Sequence, residues 1–247
     1  MNGARTLLLL LIWGVLGAGC AYRPWAGDLK PLDEGQQPLK GMVVEDDGTV
    51  TFTEKRLEIS LRPLTDDELN RQFSASSQKG NRSTNPFTFG NGKFYRTGET
   101  PQRFTVFKLV VKNYEYPKVR VAGDMVVQSR NGRKYYALSL AQLEAYYRSY
   151  AVAYRGNEYQ EYKERRAILQ RTLFPLEDIF SGQVKEGFVV FEPLADDVAD
   201  ITTTVKDIVT RFDFQGNALE STDVSYRFRR DLGRLYPDGR KEIAGKD

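Results

Sequence analysis

Arg103-Phe104-Thr105-Val106-Phe107-Lys108-Leu109-Val110-Val111-Lys112-Asn113 is the run whose reading decides the fold. Its β-branched and aromatic side chains follow one another almost without a break, which suits a pleated strand better than a helix. A strand with one wet face would alternate strictly. This one does not, so it predicts an inner strand of a sandwich, covered over most of both faces. Asn113-Tyr114-Glu115-Tyr116-Pro117 closes the run, and short apolar stretches around Val119, Val121 and Met125 to Gln128 follow. Arg130-Asn131-Gly132-Arg133 then predicts a type I′ turn into Lys134 to Ala137.

Upstream, Gly41 to Val44 and Val50 to Thr53 flank Asp46-Asp47-Gly48, the pattern of a hairpin. Leu57, Ile59 and Leu61 alternate with Glu58, Ser60 and Arg62 as a half-buried strand. Thr65 and Glu68 make a capping box, with Leu64 and Leu69 at the staple positions, so a helix runs to about Phe73. Residues 74–100 are dense in Ser, Asn, Gly and Thr yet carry Phe87, Phe89, Phe94 and Tyr95. A long loop with aromatics either packs onto its own domain or binds something.

Downstream the period turns helical. Ser139 with Gln142 and Asn157 with Gln160 cap two helices, separated near Gly156. Leu140, Leu143, Tyr147, Tyr150 and Tyr154 follow helical spacing on the first, and Tyr159, Tyr162, Arg166 and Leu169 on the second. Residues 139–172 thus read as a helical hairpin inserted between strands. Strand signal resumes at Gly187-Phe188-Val189-Val190-Phe191 and continues through Ile201, Thr203 and Val205 to Ile208–Phe214. A phase shift at Lys206-Asp207 predicts a bulge. Gln215-Gly216-Asn217 is a turn, and Val224, Tyr226 and Phe228 alternate in a last strand. The expectation is mainly β: an antiparallel sandwich over residues 41–230 with the hairpin inserted, then a polar, frayed tail over 231–247.

The long strand ending in Asn113, followed much later by Gly187–Phe191, is similar to immunoglobulin-like domains of uncharacterised bacterial envelope lipoproteins. That resemblance covers roughly residues 100–230, implies an immunoglobulin-like sandwich and says almost nothing about activity.

The first residues give an address. A short basic start, Leu7 to Ile12, and Trp13 to Gly19 lead into Cys20, the single cysteine. Such a stretch is a secretory signal peptide, and its approach to a cysteine resembles a bacterial lipoprotein signal peptide over residues 1–19. Ala18 and Gly19 match that pattern; Gly17 stands where Leu is usual. The resemblance implies diacylglycerol on the Cys20 sulfur, cleavage before Cys20 and acylation, typically with palmitate, of the new amino terminus. Ala21, by likeness to proteobacterial lipoproteins, implies the outer membrane and a periplasm-facing domain. An uncleaved anchor is the weaker reading, because spanning takes about 20 apolar residues. An ordinary signal peptide would leave a lone thiol in a secreted chain. Residues 20–40, with Pro24, Gly27, Pro31, Gly35 and Pro38, read as an extended lipidated tether.

Composition excludes chemistry. The chain has no histidine and one cysteine, so the usual zinc sites, the Ser-His-Asp triad and the Cys-His pair are ruled out. A net charge of +3 over 247 residues does not mark a nucleic-acid binder. Asp46-Asp47-Gly48 and Asp196-Asp197 with Asp200 lack the alternating carboxylates and closing Glu of a calcium loop. No catalytic residue, metal set or cofactor site is expected. The candidate interaction surface is aromatic: Tyr146, Tyr150, Tyr154, Tyr159 and Tyr162 on the hairpin, with Phe87, Phe89, Phe94 and Tyr95 in the loop. Tyr is favoured at interfaces, but helical spacing is also what core packing requires; Tyr147, Tyr150 and Tyr154 would then face inward and Tyr146 would be the exposed member. Arg227, Arg229, Arg230, Arg234, Arg240 and Lys241 make a basic end, either solvated or set against anionic lipid. The function expected is a non-enzymatic, membrane-anchored adaptor or assembly partner for other envelope proteins. The alternatives are a glycan- or lipid-binding module and a hydrolase built on two carboxylates.

Overall fold

Thr105–Asn113 is a strand with a partner on each side, as an inner strand requires. The computed structural model describes residues 22–77, 85–89, 102–153 and 159–244, with only the backbone of Tyr150 and Ala153. The expected signal peptide, Cys20, Phe94, Tyr95, Tyr154 and the Asn157 cap lie outside the described residues.

In chain order the strands are β1 (Arg23–Ala26), β2 (Lys30–Pro31), β3 (Val43–Val44), β4 (Val50–Glu54), β5 (Leu57–Pro63), β6 (Thr105–Asn113), β7 (Lys118–Val121) and β8 (Met125–Ser129). They continue as β9 (Lys134–Tyr136), β10 (Ile179–Phe180), β11 (Gln183–Phe191), β12 (Asp200–Phe212), β13 (Ala218–Arg229), β14 (Leu232–Leu235) and β15 (Lys241–Ile243). The helices are α1 (Asp66–Gln72), α2 (Leu140–Ala153) and α3 (Tyr159–Thr172). The protein is mainly β, an antiparallel sandwich with an inserted helical hairpin.

One sheet runs β11-β6-β5-β4-β3. The facing sheet runs β10-β7-β12-β13-β2, with β8 also beside β12 and β9 beside β8. Between them lies the main core, to which β6 contributes Phe107, Leu109 and Val111, and β12 and β13 contribute Ile201, Val205, Ile208, Val224, Tyr226 and Phe228. The Tyr226 hydroxyl crosses this core and donates to the Ile59 carbonyl at 2.8 Å. Complete burial pushes that phenol well above its ordinary range, so it stays a donor.

The two runs that carried the sequence reading pair with each other, Gly187 opposite Leu109 and Phe191 opposite Thr105. Their second faces are covered as well. Phe104, Val106, Phe188 and Val190 join Leu143 and Tyr147 of α2, Leu169 of α3, Leu69 of α1 and Phe87 in a second core on the outer side of the sheet. That second core explains why the alternation failed in the sequence.

Gly187 is the point where the chain leaving α3 crosses this sheet. Phe174 donates its N–H to the Phe188 carbonyl at 2.9 Å. A Cβ on Gly187 would lie 2.4 Å from the Phe174 Cα and 2.6 Å from its nitrogen.

Most of the expected local signals hold; the Asn131-Gly132 turn forms, but only Gly132 is left-handed there (φ 87) and its N–H donates to the Ser129 carbonyl at 3.0 Å, so the turn is not type I′. Thr65 and Glu68 form the reciprocal capping box of α1, and Ser139 and Gln142 exchange the same bonds at the start of α2. The register of β12 on β13 shifts between Val205 and Ile208, and Asp207 has φ 51. The predicted bulge thereby lets one strand serve two neighbours on the same edge: β8 along 201–205 and β7 at 208–209.

Two stretches expected to be loose are ordered. Within 20–40, β1 pairs with β14, and β2 pairs with the end of β13. Gln37 stands in for a strand there: its amide donates to the Leu32 and Arg227 carbonyls and accepts from the Arg227 N–H. Part of the 231–247 tail forms β14 and β15 on the other side of the same small sheet. Proline misled the reading, because Pro24 and Pro31 sit in short strands at sheet edges, where a missing N–H is tolerated.

Candidate interaction surface

The aromatic set found in the sequence divides. Phe87 is fully buried in the second core and leaves the surface set; its place is fixed by its N–H donating to Asn85 Oδ1 at 2.9 Å. Tyr147 is buried, as core packing of the hairpin required, and its hydroxyl donates to the Thr88 carbonyl at 3.0 Å. Tyr146, expected to be the exposed member, is half-buried: it stacks on Phe89 at 5.2 Å and meets Phe104 edge-on. Tyr162 is half-buried too; among the described side chains of the hairpin set Tyr159 is the exposed ring, with Lys163 Nζ 4.9 Å from its centre. These rings seal the helices and the 85–89 segment onto the sheet.

A polar network fixes that segment. Asp66, at the start of α1, takes both Nε and Nη2 of Arg103 and also accepts from Asn85 and Asn70. Burial pulls the Arg103 guanidinium down to about 10, so it remains charged at neutral pH and the pair stands. Asp66 is therefore committed to a structural role.

A groove of ≈ 490 Å³ opens beside this network. Trp25, Leu235 and Arg23 of the small sheet line one wall, and Leu64, Phe104 and Leu194 belong to the sandwich side. Arg230 at its base donates to the Val198 and Ala195 carbonyls at 2.7 and 2.6 Å.

The other end of the sandwich was not read from the sequence. Strand β12 runs to Phe212, the chain turns through 213–217, and β13 returns; the β10–β11 turn and the β6–β7 connection close at the same end. There Tyr114, Phe180, Val184, Phe214 and Leu219 are all exposed, Phe214 by 95%. These five come from three separate strand connections, so no local pattern joined them; the one sequence signal was a Phe inside a hairpin turn.

The turn that carries Phe214 is rigid. One Asp213 carboxylate oxygen accepts the Gln215 and Asn217 N–H groups, both at 2.8 Å, and the other accepts the Asn217 side chain. Gly216 supplies the left-handed residue, with φ 84. Those bonds, the Asn217 side chain first, hold the Asp213 carboxyl below its ordinary range. Below the tip, the Phe212 ring lies under Lys118 Nζ at 4.0 Å and near Arg120. Both cations pair with Asp178, at 3.3 and 2.6 Å. An exposed ring on an already ordered turn loses little freedom on binding, which is the condition for an interface hot spot.

Asp178 gives this end an acid dependence. Its hydrogen bond from Arg120, then that from Lys118, holds its carboxyl below the ordinary value. A lowered folded-state pKa stabilises above the unfolded value and is lost as pH falls through the folded one. Thermal melts are thus expected to fall in the acid range below the ordinary aspartate pKa. Asp178→Asn should show a smaller decline over the same range.

No family model matches the chain, and no curated protein matches it. Among solved structures, a 1.5 Å crystal structure of MPT63, a secreted protein from Mycobacterium tuberculosis, aligns at 11% identity. That alignment covers 62% of this chain and 82% of that one, with a TM-score of 0.26, a likeness too low to carry an argument. Among the described residues no group of three or more His, Cys, Asp or Glu is placed to hold a metal ion, and no helix is long and apolar enough to cross a membrane.

Proposed function

We propose that the chain is a non-enzymatic lipoprotein, held at the periplasmic side of the outer membrane through Cys20, that docks another envelope protein with its far end. The observation that carries this reading is Phe214, presented on a hydrogen-bonded turn beside four other exposed apolar side chains. Its position supports the reading as well. β13 leads from that tip back to Arg229, and the partner of the N-terminal strand begins at Leu232. Thirteen residues of β12 span about 40 Å. A lipid on Cys20 and the apolar tip would stand at opposite ends of the molecule, the geometry of a protein that meets a partner away from its own membrane.

The test is site-specific photocrosslinking in intact cells, with a benzophenone side chain at position 214 and, as control, at 159. The expected result is one discrete envelope-protein adduct from 214, absent from 159 and lost in Phe180→Ser with an unchanged melting temperature. Adduct patterns that match at the two positions, or an adduct indifferent to Phe180→Ser, would overturn the docking site.

A further inference from the structure

The helices cover the outer face of one sheet of the sandwich. The outer face of the other, across β9, β8, β12, β13 and β2, is open, and register lays out its side chains in rows. Arg130, Asp200, Arg229 and Lys30 follow one another from the end of β8 to β2. The next row is Lys134, Gln128, Thr202 and Arg227, and the one beside it Tyr136, Val126, Thr204 and Ser225. Residues directly opposite across a sheet share a face, so Lys30, Arg130, Lys134, Arg227 and Arg229 stand together, all exposed. The one acid in these rows is Asp200, which accepts from Arg229 Nε and lies 3.9 Å from Arg130. Asp197, beyond the Arg130 turn, is held by Arg133 and Asn131. A groove of ≈ 690 Å³ runs over the same rows, lined by Arg130, Gln128, Thr202, Ser225, Arg227 and Arg229.

Edge strands carry lysine to prevent stray pairing, which accounts for Lys30 and Lys134. It does not account for Arg227 and Arg229, because β2 and Gln37 already occupy the outer edge of β13 there. Both arginines keep donors in hand. Arg229 spends Nε on Asp200 and Arg227 one Nη on the Gln36 carbonyl, out of five N–H groups each. Among the described residues neither the Gln128 amide nor the Thr202 hydroxyl has a hydrogen-bond partner. The face offers a bilayer nothing apolar to insert: Val126 and Leu32 are buried, and the exposed ring is Tyr136. Guanidinium forks match carboxylates and phosphates, and the free amide and hydroxyl suit a ligand rich in hydroxyls. The row from Arg130 to Lys30 spans about 14 Å, longer than a single ion needs. We propose that this face binds an acidic polysaccharide. Its carboxylate or phosphate groups meet Arg130, Arg227 and Arg229, its hydroxyls meet Gln128 and Thr202, and a sugar ring lies against Tyr136. The site depends neither on docking at Phe214 nor on a lipid at Cys20.

The experiment titrates the full chain, in neutral detergent at low salt, with oligogalacturonate and with phosphorylated dextran, and reads binding by calorimetry. Plain dextran is the uncharged control. At least one acidic glycan should bind, plain dextran should not, and added salt should weaken the complex. Arg130→Gln with Arg227→Gln should weaken it about tenfold or more at an unchanged melting temperature. Tyr136→Ser should weaken it about threefold while leaving its salt dependence as it was, as loss of an uncharged contact requires. Arg211→Gln, an exposed arginine at the apolar end, should change nothing. Should the double arginine variant fail to fold, Lys30→Gln with Lys134→Gln on the exposed edges replaces it, with a loss of about threefold or more expected. Silence toward both acidic glycans, equal binding of plain dextran, or binding indifferent to these substitutions overturns the site. Capture by phosphatidylglycerol vesicles without binding of either glycan also overturns it and gives the face to lipid instead.

Discussion

Gly187→Ala is expected to destabilise the protein by about 3 kcal/mol or more, a large loss for a methyl group. The added carbon would sit 2.4 Å from the Phe174 Cα, inside backbone rather than against a movable side chain. To relieve it, the segment after α3 must lift off β11, breaking the Phe174 to Phe188 hydrogen bond and opening the second core along Phe188 and Val190. The matched control is Gly35→Ala, where nothing lies within 4 Å of the new carbon and the change should stay within about 0.5 kcal/mol. Urea unfolding of the two variants beside the parent checks both. A Gly187→Ala midpoint equal to that of Gly35→Ala would refute the crossing as a packed contact.

Asn113→Asp is the second large effect, and it should depend on pH. Asn113 is buried, and its amide donates to the Tyr116 and Ile179 carbonyls, both at 2.8 Å, tying the end of β6 to the facing sheet. A carboxylate in that place would face two carbonyl oxygens with no hydrogen to offer, at a cost of about 3–5 kcal/mol. Burial and those oxygens would raise the folded-state pKa of the new acid above its unfolded value. The penalty is therefore full above the folded pKa and shrinks as pH falls through it, when the protonated acid regains a donor. Unfolding midpoints near pH 7 and near about pH 4 should converge toward the parent at the lower value. Midpoints equally depressed at both would show that the amide's shape, not its hydrogen bonds, matters there.

The parts of this fold that were legible in the sequence are those decided within a few residues. The Thr65–Glu68 and Ser139–Gln142 caps, the Asp47-Gly48 turn and the bulge at Lys206-Asp207 were all read from local chemistry and all appear; the turn at Asn131-Gly132 appears too, though not in its expected type I′ form. The continuous apolar run from Phe104 was informative for the same reason: two covered faces leave no alternation, and both cores draw on it. What depended on distant pairing was missed. Nothing in Arg23–Ala26 announces Leu232–Leu235 as its partner, so both ends read as loose chain. The interaction surface shows the same limit. Tyr147 and Phe87 stood out because they were aromatic and clustered in sequence, yet such clustering is how a helix reaches a core. Tyr114, Phe180 and Phe214 are scattered in sequence and meet at one end only because three strand connections close there.

The small sheet has a consequence for assembly in time. Pro24 pairs with Arg234, so β1 finds its place only once about 200 residues further along the chain have been made. A chain made or exported from its N-terminus must therefore hold residues 23–26 unpaired until the last strands arrive, and the sandwich can close before its base does. Release of an incomplete copy would leave that strand's edge open to whichever extended segment reached it first, a second unfinished copy included. Strand β14 thus acts as a latch, closing on β1 only after the residues between them have been made.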